Sequence, residues 1–180
     1  MKDKPLWKVH EEETLLSCQI FSAIKSRRSN PDNGTEIEFL LVRGLNWVNV
    51  IALTPENEVI LVKQYRPGVE KYTLELPGGC IEKDEDVKSA ALREFSEETG
   101  YSSDDLEEIG VVNANPAMYN MRNYFYVARN CRKVGEQNLD SDEDVDVIKI
   151  PYRQLLEDVK SGKFDHGLCT AAIGLYELKK

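Results

Sequence analysis

Between Asp84 and Thr99 the chain reads DEDVKSAALREFSEET, and its apolar residues Val87, Ala91 and Phe95 recur every four positions before Gly100 ends the run. That is the period of one helix face, so the segment predicts an amphipathic helix with its back against a core. The other flank carries Glu94, Glu97 and Glu98. Around the axis, Glu94 and Glu98 lie about 40° apart, with Glu97 about 60° further round. Like charges at that spacing repel by roughly a few tenths of a kcal/mol per pair, and Lys88 and Arg93 are too few to neutralise them. Helix packing gains nothing from such a flank. A hard divalent cation changes the balance, because Mg²⁺ prefers carboxylate and water oxygens and commonly bridges one or two carboxylates to a substrate phosphate. Spacing alone allows a solvated acidic face equally well.

The remaining composition narrows the chemistry. A formal net charge of -9 and a pI near 4.9 oppose binding of nucleic acid through its phosphates. If a ligand carries phosphate, a cation has to supply the positive charge. With 180 residues and 41% hydrophobic content the chain can bury one proper core. The first residues, MKDKPLWKVHEEETLL, lack the apolar run of a secretory signal, and no later run is long enough to span a membrane; the expectation is a cytoplasmic protein with no membrane partner. Cys18, Cys80, Cys131 and Cys169 show no C-x-x-C spacing and read as reduced thiols. His10 and His166 are the two histidines, which excludes a site built on several imidazoles.

Strand-like alternation runs from Leu16 to Ile24 and from Glu36 to Val42, around an Asn33-Gly34 pair that favours a tight turn, and predicts an N-terminal β-hairpin. NVIAL, EVILVKQYR and TLEL follow as strands, then the acidic helix, then IGVVN, NYFYVA and VDVIKI as strands. YRQLLEDVKSG and LCTAAIGLYELKK have helical spacing. No internal repeat is present.

The complete pattern around the glutamates resembles the Nudix hydrolase family, whose box is G-x5-E-x7-R-E-U-x-E-E-x-G-U with U a bulky apolar residue. Gly79, Glu85, Arg93, Glu94, Phe95, Glu97, Glu98, Gly100 and Tyr101 match every specified place. The resemblance implies a loop-helix-loop unit in which Glu94, Glu97 and Glu98, with the carbonyl of Gly78, hold Mg²⁺, Mn²⁺ being the alternative ion. Glu85 and Arg93 would pair to hold the helix, with Gly79 opening the box. Arg93 suits that pairing because its planar fork grips a carboxylate in two places.

Outside the box, QYRPGVEKYTLELPGG, from Gln64 to Gly79, resembles the lead-in of ADP-ribose pyrophosphatases and related nucleoside diphosphate sugar hydrolases. Pro116, fifteen residues beyond Tyr101, stands about where that subgroup has a marker proline. The likeness implies that Arg66 grips substrate phosphates as a bidentate cation and that Glu75 is a polar contact or metal neighbour. The Asn46–Thr54 stretch also looks like this subgroup, and Trp47 would stack on a nucleobase, across a dimer interface in some arrangements. In the ADP-ribose pyrophosphatases the general base tends to be a glutamate on a mobile loop well after the box, and in other members of the family a glutamate within the box. In DSDEDVDVIKI that places Glu143 best, with Asp142 or Glu97 as alternatives. An EF-hand reading of this loop fails, since Val145 and Pro151 stand where calcium loops need Gly and Glu. After Pro116 the chain reads AMYNMRNYFYVA rather than the glycine and short acidic loop typical of ADP-ribose pyrophosphatases, which widens the expected substrates to GDP-mannose as well as ADP-ribose.

The expected fold is an α/β (α+β) class Nudix sandwich, a mixed β-sheet between helices. Residues 1–45 would form the hairpin extension, which in this subgroup commonly helps build a homodimer, and residues 46–180 the Nudix domain. The expected reaction is divalent-metal-dependent hydrolysis of a pyrophosphate linkage, with Glu97, Glu98 and Glu143 closest to the chemistry. Its rivals are a triphosphate-sanitising enzyme, a non-catalytic nucleotide-sugar-binding module and an RNA decapping enzyme, the last disfavoured by the acidic charge.

Overall fold

Alternation on both faces of one strand organises the larger part of the molecule. In Trp47–Leu53 (β4) every residue from Val48 to Leu53 is buried. Val48, Val50 and Ala52 pack in one apolar cluster, and Ile51 and Leu53 in a second. A strand buried on both faces needs a layer of helix on each side. Val87–Thr99 (α1) supplies Ala90, Ala91 and Phe95 to the first cluster; Tyr152–Lys160 (α2) and Gly167–Lys179 (α3) supply Tyr152, Leu155, Cys169, Ala172, Ile173 and Tyr176 to the second.

The computed structural model describes residues 4–141 and 143–180. Two compact units emerge, one running through Leu45 and joined by Asn113–Arg122, the other comprising Asn46–Val112 and Asn123–Lys180. In the first, Lys8–Ser17 (β1), Phe21–Ser29 (β2) and Glu36–Gly44 (β3) form an antiparallel sheet in the order β1-β2-β3. The expected hairpin is therefore two-thirds of a three-stranded meander. The run read as one strand from Leu16 to Ile24 breaks at Cys18–Ile20, where the chain reverses. The Asn33-Gly34 turn is a six-residue loop held by side-chain amides, Asn30 Oδ1 accepting from Asp32 N–H and Asn33 Oδ1 from Thr35 N–H. The segment around Pro116 returns to this unit, the Val42 N–H donating to the Met118 carbonyl at 2.8 Å.

The second unit contains a mixed sheet in the order β11-β5-β4-β9-β8, where β5 is Glu58–Arg66, β8 Asp105–Asn113, β9 Arg122–Arg129 and β11 Val145–Pro151. β4 and β9 are parallel, whereas β5 is antiparallel to both β4 and β11. Lys71–Glu75 (β6) also pairs with β5, antiparallel, and this divides one edge of β5. β5 meets β4 at Val59 and Ile60 and meets β6 from Val62 to Arg66. Beyond the fork, Leu76–Gly79 runs along β4, whose Val50 and Val48 N–H groups donate to the carbonyls of Pro77 and Gly79, both at 2.9 Å. A small ladder joins Tyr101–Ser102 (β7) to Arg132–Lys133 (β10). No described helix is long and apolar enough to cross a membrane, and the four cysteines are unpaired, Cys131 and Cys169 being buried.

Candidate active site

α1 begins at Val87, later than the Asp84 start expected from the sequence, because Asp86 caps it: its carboxylate accepts from the Ser89 N–H at 3.0 Å. It ends at Gly100, whose φ of 73° is left-handed and whose missing side chain leaves room for the Gly135 carbonyl. Between these ends the helix turns its apolar face to the sheet and brings the glutamates to the Pro77–Gly79 turn.

Arg93 organises the acidic flank. Its Nε and Nη2 donate to the two oxygens of Glu85 at 2.8 and 2.9 Å, the two-point pairing expected. Nη1 donates to Glu94 at 2.9 Å and to Glu97 at 3.1 Å, and Nη2 also reaches the Cys80 carbonyl at 3.1 Å. One guanidinium thus touches three carboxylates. Glu98 stands apart, accepting from the Gly78 N–H at 2.7 Å. Its side chain is nearly buried, and burial pushes the carboxyl up to about 8; the Gly78 N–H opposes this, while the charges of Glu94 and Glu143 add to it. Burial likewise raises the Glu94 carboxyl despite Arg93. The Glu94 carboxylate lies over Gly79, where a Cβ would collide with it.

Among the described residues no three His, Cys, Asp or Glu side chains already converge on one point. The donor chemistry nonetheless fits a hard divalent cation. All the groups are oxygens, three carboxylates share one arginine, and burial drives a fourth, Glu98, toward protonation.

The NUDIX domain model matches residues 45–167. The chain belongs to the Nudix family. Over 178 residues it is 33% identical to a methanol dehydrogenase activator of Bacillus methanolicus, covering 96% of each chain. Over 175 residues it is 31% identical to an ADP-ribose pyrophosphatase of Bacillus subtilis (strain 168), covering 94% of this chain and 95% of the other. A crystal structure of an ADP compounds hydrolase superposes with a TM-score of 0.86 at 21% identity, covering 98% and 95% of the two chains. That structural likeness establishes the Nudix sandwich as the fold.

Around the Nudix box the other expected residues take definite places. Arg66 ends β5, but its fork is engaged: Nε and Nη2 donate to the two oxygens of Glu75 at 2.7 and 2.6 Å. The expected bidentate grip on phosphate is therefore not available from this arrangement, since two of its nitrogens already face a carboxylate. Glu75 is 2% exposed and also accepts from the Thr73 hydroxyl at 2.5 Å. Burial would raise its carboxyl, but Arg66 and then Thr73 outweigh this and hold it below the usual carboxylate value. His166 caps α3 through Nδ1, which accepts from the Cys169 N–H, while its Nε2 lies 3.7 Å from Glu75.

Trp47 opens β4, half-buried and bridged to Cys80 across the start of the box. Glu143 is exposed on the loop before β11; its carboxylate accepts from the Asp140 N–H at 3.1 Å, and its charge reaches both Glu94 and Glu98. Asp142, the alternative base, lies outside the described residues. Gln137 was not singled out by sequence: its Nε2 donates to the Glu98 carbonyl at 2.7 Å and the Val145 carbonyl at 2.9 Å, tying the Glu143 loop to the end of α1. An uncharged residue outside any motif gives no sequence signal for such a tether.

Proposed function

We propose that this Nudix chain hydrolyses the pyrophosphate bond of nucleoside diphosphate sugars, ADP-ribose and GDP-mannose being the leading substrates. Water adds across the P–O–P link, so that one phosphorus gains the hydroxyl and the other departs as a phosphate monoester. The products are a nucleoside monophosphate and a sugar phosphate. The observation that carries the reading is the complete set of box carboxylates, with Glu98 on the Gly78 N–H and Glu85, Glu94 and Glu97 on Arg93, in a chain similar over nearly its whole length to an ADP-ribose pyrophosphatase.

Glu94, Glu97, Glu98 and the Gly78 carbonyl would hold Mg²⁺ or Mn²⁺, which when bound supplies charge against the phosphate oxygens and lowers the pKa of water. Glu143 orients the attacking water and takes its proton. Arg66, aimed by Glu75, contacts phosphate through Nη1, and Trp47 stacks on the base. Glu85 and Arg93 hold α1 in place. The protein acts in the cytoplasm as a homodimer, with residues 1–45 as the dimerisation extension.

Phosphatase-coupled turnover on ADP-ribose, GDP-mannose, UDP-glucose, NADH, diadenosine polyphosphates and dGTP, with and without Mg²⁺, tests this. Metal-dependent cleavage confined to diphosphate sugars supports the reading. Cleavage of dGTP alone would move the protein to triphosphate sanitising, and silence across the panel would make it a binding module. The likeness to the methanol dehydrogenase activator over 96% of both chains favours a second reading, action on a dehydrogenase. A rise in methanol dehydrogenase turnover on mixing, without sugar-nucleotide cleavage, would select it.

A further inference from the structure

Two buried asparagines lie beneath the turn that meets Glu98, and nothing in the reaction described above uses them. Asn49 is 7% exposed and Asn123 is 1% exposed, on the neighbouring parallel strands β4 and β9. The Asn123 Nδ2 donates to Asn49 Oδ1 at 2.9 Å, and Asn49 Nδ2 donates to the Leu76 carbonyl at 3.3 Å. Their buried neighbours along the strands, Val48, Val50, Phe125 and Val127, are apolar. Burying two carboxamides there is no gain over apolar residues of the same shape, so the sheet itself gives no reason for them.

The turn does. Val50 and Val48 fix the carbonyls of Pro77 and Gly79, and Asn49, between them in sequence, anchors the carbonyl of Leu76. At Gly78 the backbone adopts φ 154°, and an added Cβ would strike the Val48 carbonyl and lie 2.9 Å from Asn49 Nδ2. The turn is pressed onto the β4 backbone at Val48 and Asn49 and onto the Asn49 amide. The Gly78 N–H of the same turn holds Glu98 at 2.7 Å.

We propose that Asn49 and Asn123 are positioning residues for the site: the chain Asn123–Asn49–Leu76 fixes the Gly78 peptide, which in turn fixes the Glu98 carboxylate for a divalent cation. This rests on the reading of Glu98 as a cation ligand. The Asn46–Thr54 segment matters to the site through Asn49 as well as through Trp47.

Mn²⁺ titration of the full chain, followed by electron paramagnetic resonance, tests it on the wild type, on Glu98→Gln and on the Asn49→Leu/Asn123→Leu double variant. The double variant exchanges both amides for apolar groups of similar volume. Its Tm is expected to hold or rise, while Mn²⁺ affinity falls about tenfold. Glu98→Gln is expected to lose at least as much. Weakened binding in Glu98→Gln with wild-type binding in the double variant overturns the positioning inference alone. Unaltered binding in Glu98→Gln overturns the reading of Glu98 on which it rests. Should the double variant fail to fold, Asn123→Ala, which removes only the rear donor, is read instead: a two- to fourfold loss of affinity is expected, and a folded variant with wild-type affinity overturns the inference.

Discussion

Glu98 combines two properties that conflict in the absence of a cation: it is buried, and the charges of Glu94 and Glu143 bear on it. Removing its charge should therefore leave the fold intact and remove function. Glu98→Gln keeps an oxygen for the Gly78 N–H, so far-UV circular dichroism and Tm are expected to match or exceed wild type, while turnover falls by orders of magnitude. The pH dependence has a definite sign. With the carboxyl raised from its ordinary 4.5 to about 8, the folded state binds more protons than the unfolded state in that window, so metal-free stability falls as pH rises across it. Urea unfolding at several pH values should show this slope in wild type, less of it in Glu98→Gln, and recovery on adding Mg²⁺ at pH 8. At this scale the box was legible because its chemistry fixes residue types at fixed spacing. The Arg66–Glu75 fork was not: both residues were singled out, but a pairing across two strands depends on a register that the sequence leaves open.

Elements carry the site by how they are tied to one another, and the loop between β10 and β11 is tied most visibly. Gln137 spans two carbonyls at 2.7 and 2.9 Å, and the Asn138 N–H donates to the Glu97 carbonyl at 2.9 Å. If Glu143 is the base, loosening this loop should act on the chemical step. Gln137→Ala is expected to lower kcat about three- to tenfold with KM little changed, and Glu143→Ala to lower kcat further. In the double variant the Gln137 effect should vanish, because its target is gone. Additive losses would remove the loop from the base-positioning role. Steady-state kinetics on the best substrate of the panel measures all three. Helices and central strands were readable here because burial imposes a period: α1, α2 and α3 all stand within a few residues of their expected ranges. β1 escaped notice since it is exposed at every position, and KVHEEET carries no alternation to detect. β7 and β10, two residues each, are too short to carry a pattern.

At the scale of the whole molecule, the question is what the N-terminal sheet is for. Within that unit the strands β1 and β3 expose apolar side chains that a sheet in water would be expected to cover. The register places Leu16, Ala23 and Val42 side by side on one face, and Leu40 two positions from Val42 on the same face. Leu16 is 58% exposed and Leu40 66%. An exposed edge strand with apolar residues on its face is a surface for pairing or packing, and a second copy of the chain offers the same surface in return. Sedimentation equilibrium at micromolar concentration should therefore give twice the 20.5 kDa of one chain. Leu16→Glu with Leu40→Glu places two charges on that face without touching the core, so Tm referred to the monomer should move little, exposed substitutions being worth within about 0.5 kcal/mol. The variant should sediment as a monomer. If Trp47 stacks on the base across the interface, KM should rise several-fold in this variant and less so at high protein concentration. A monomeric variant with wild-type KM would confine each active site to one chain, and a wild-type monomer would leave the exposed face without a second copy to cover it.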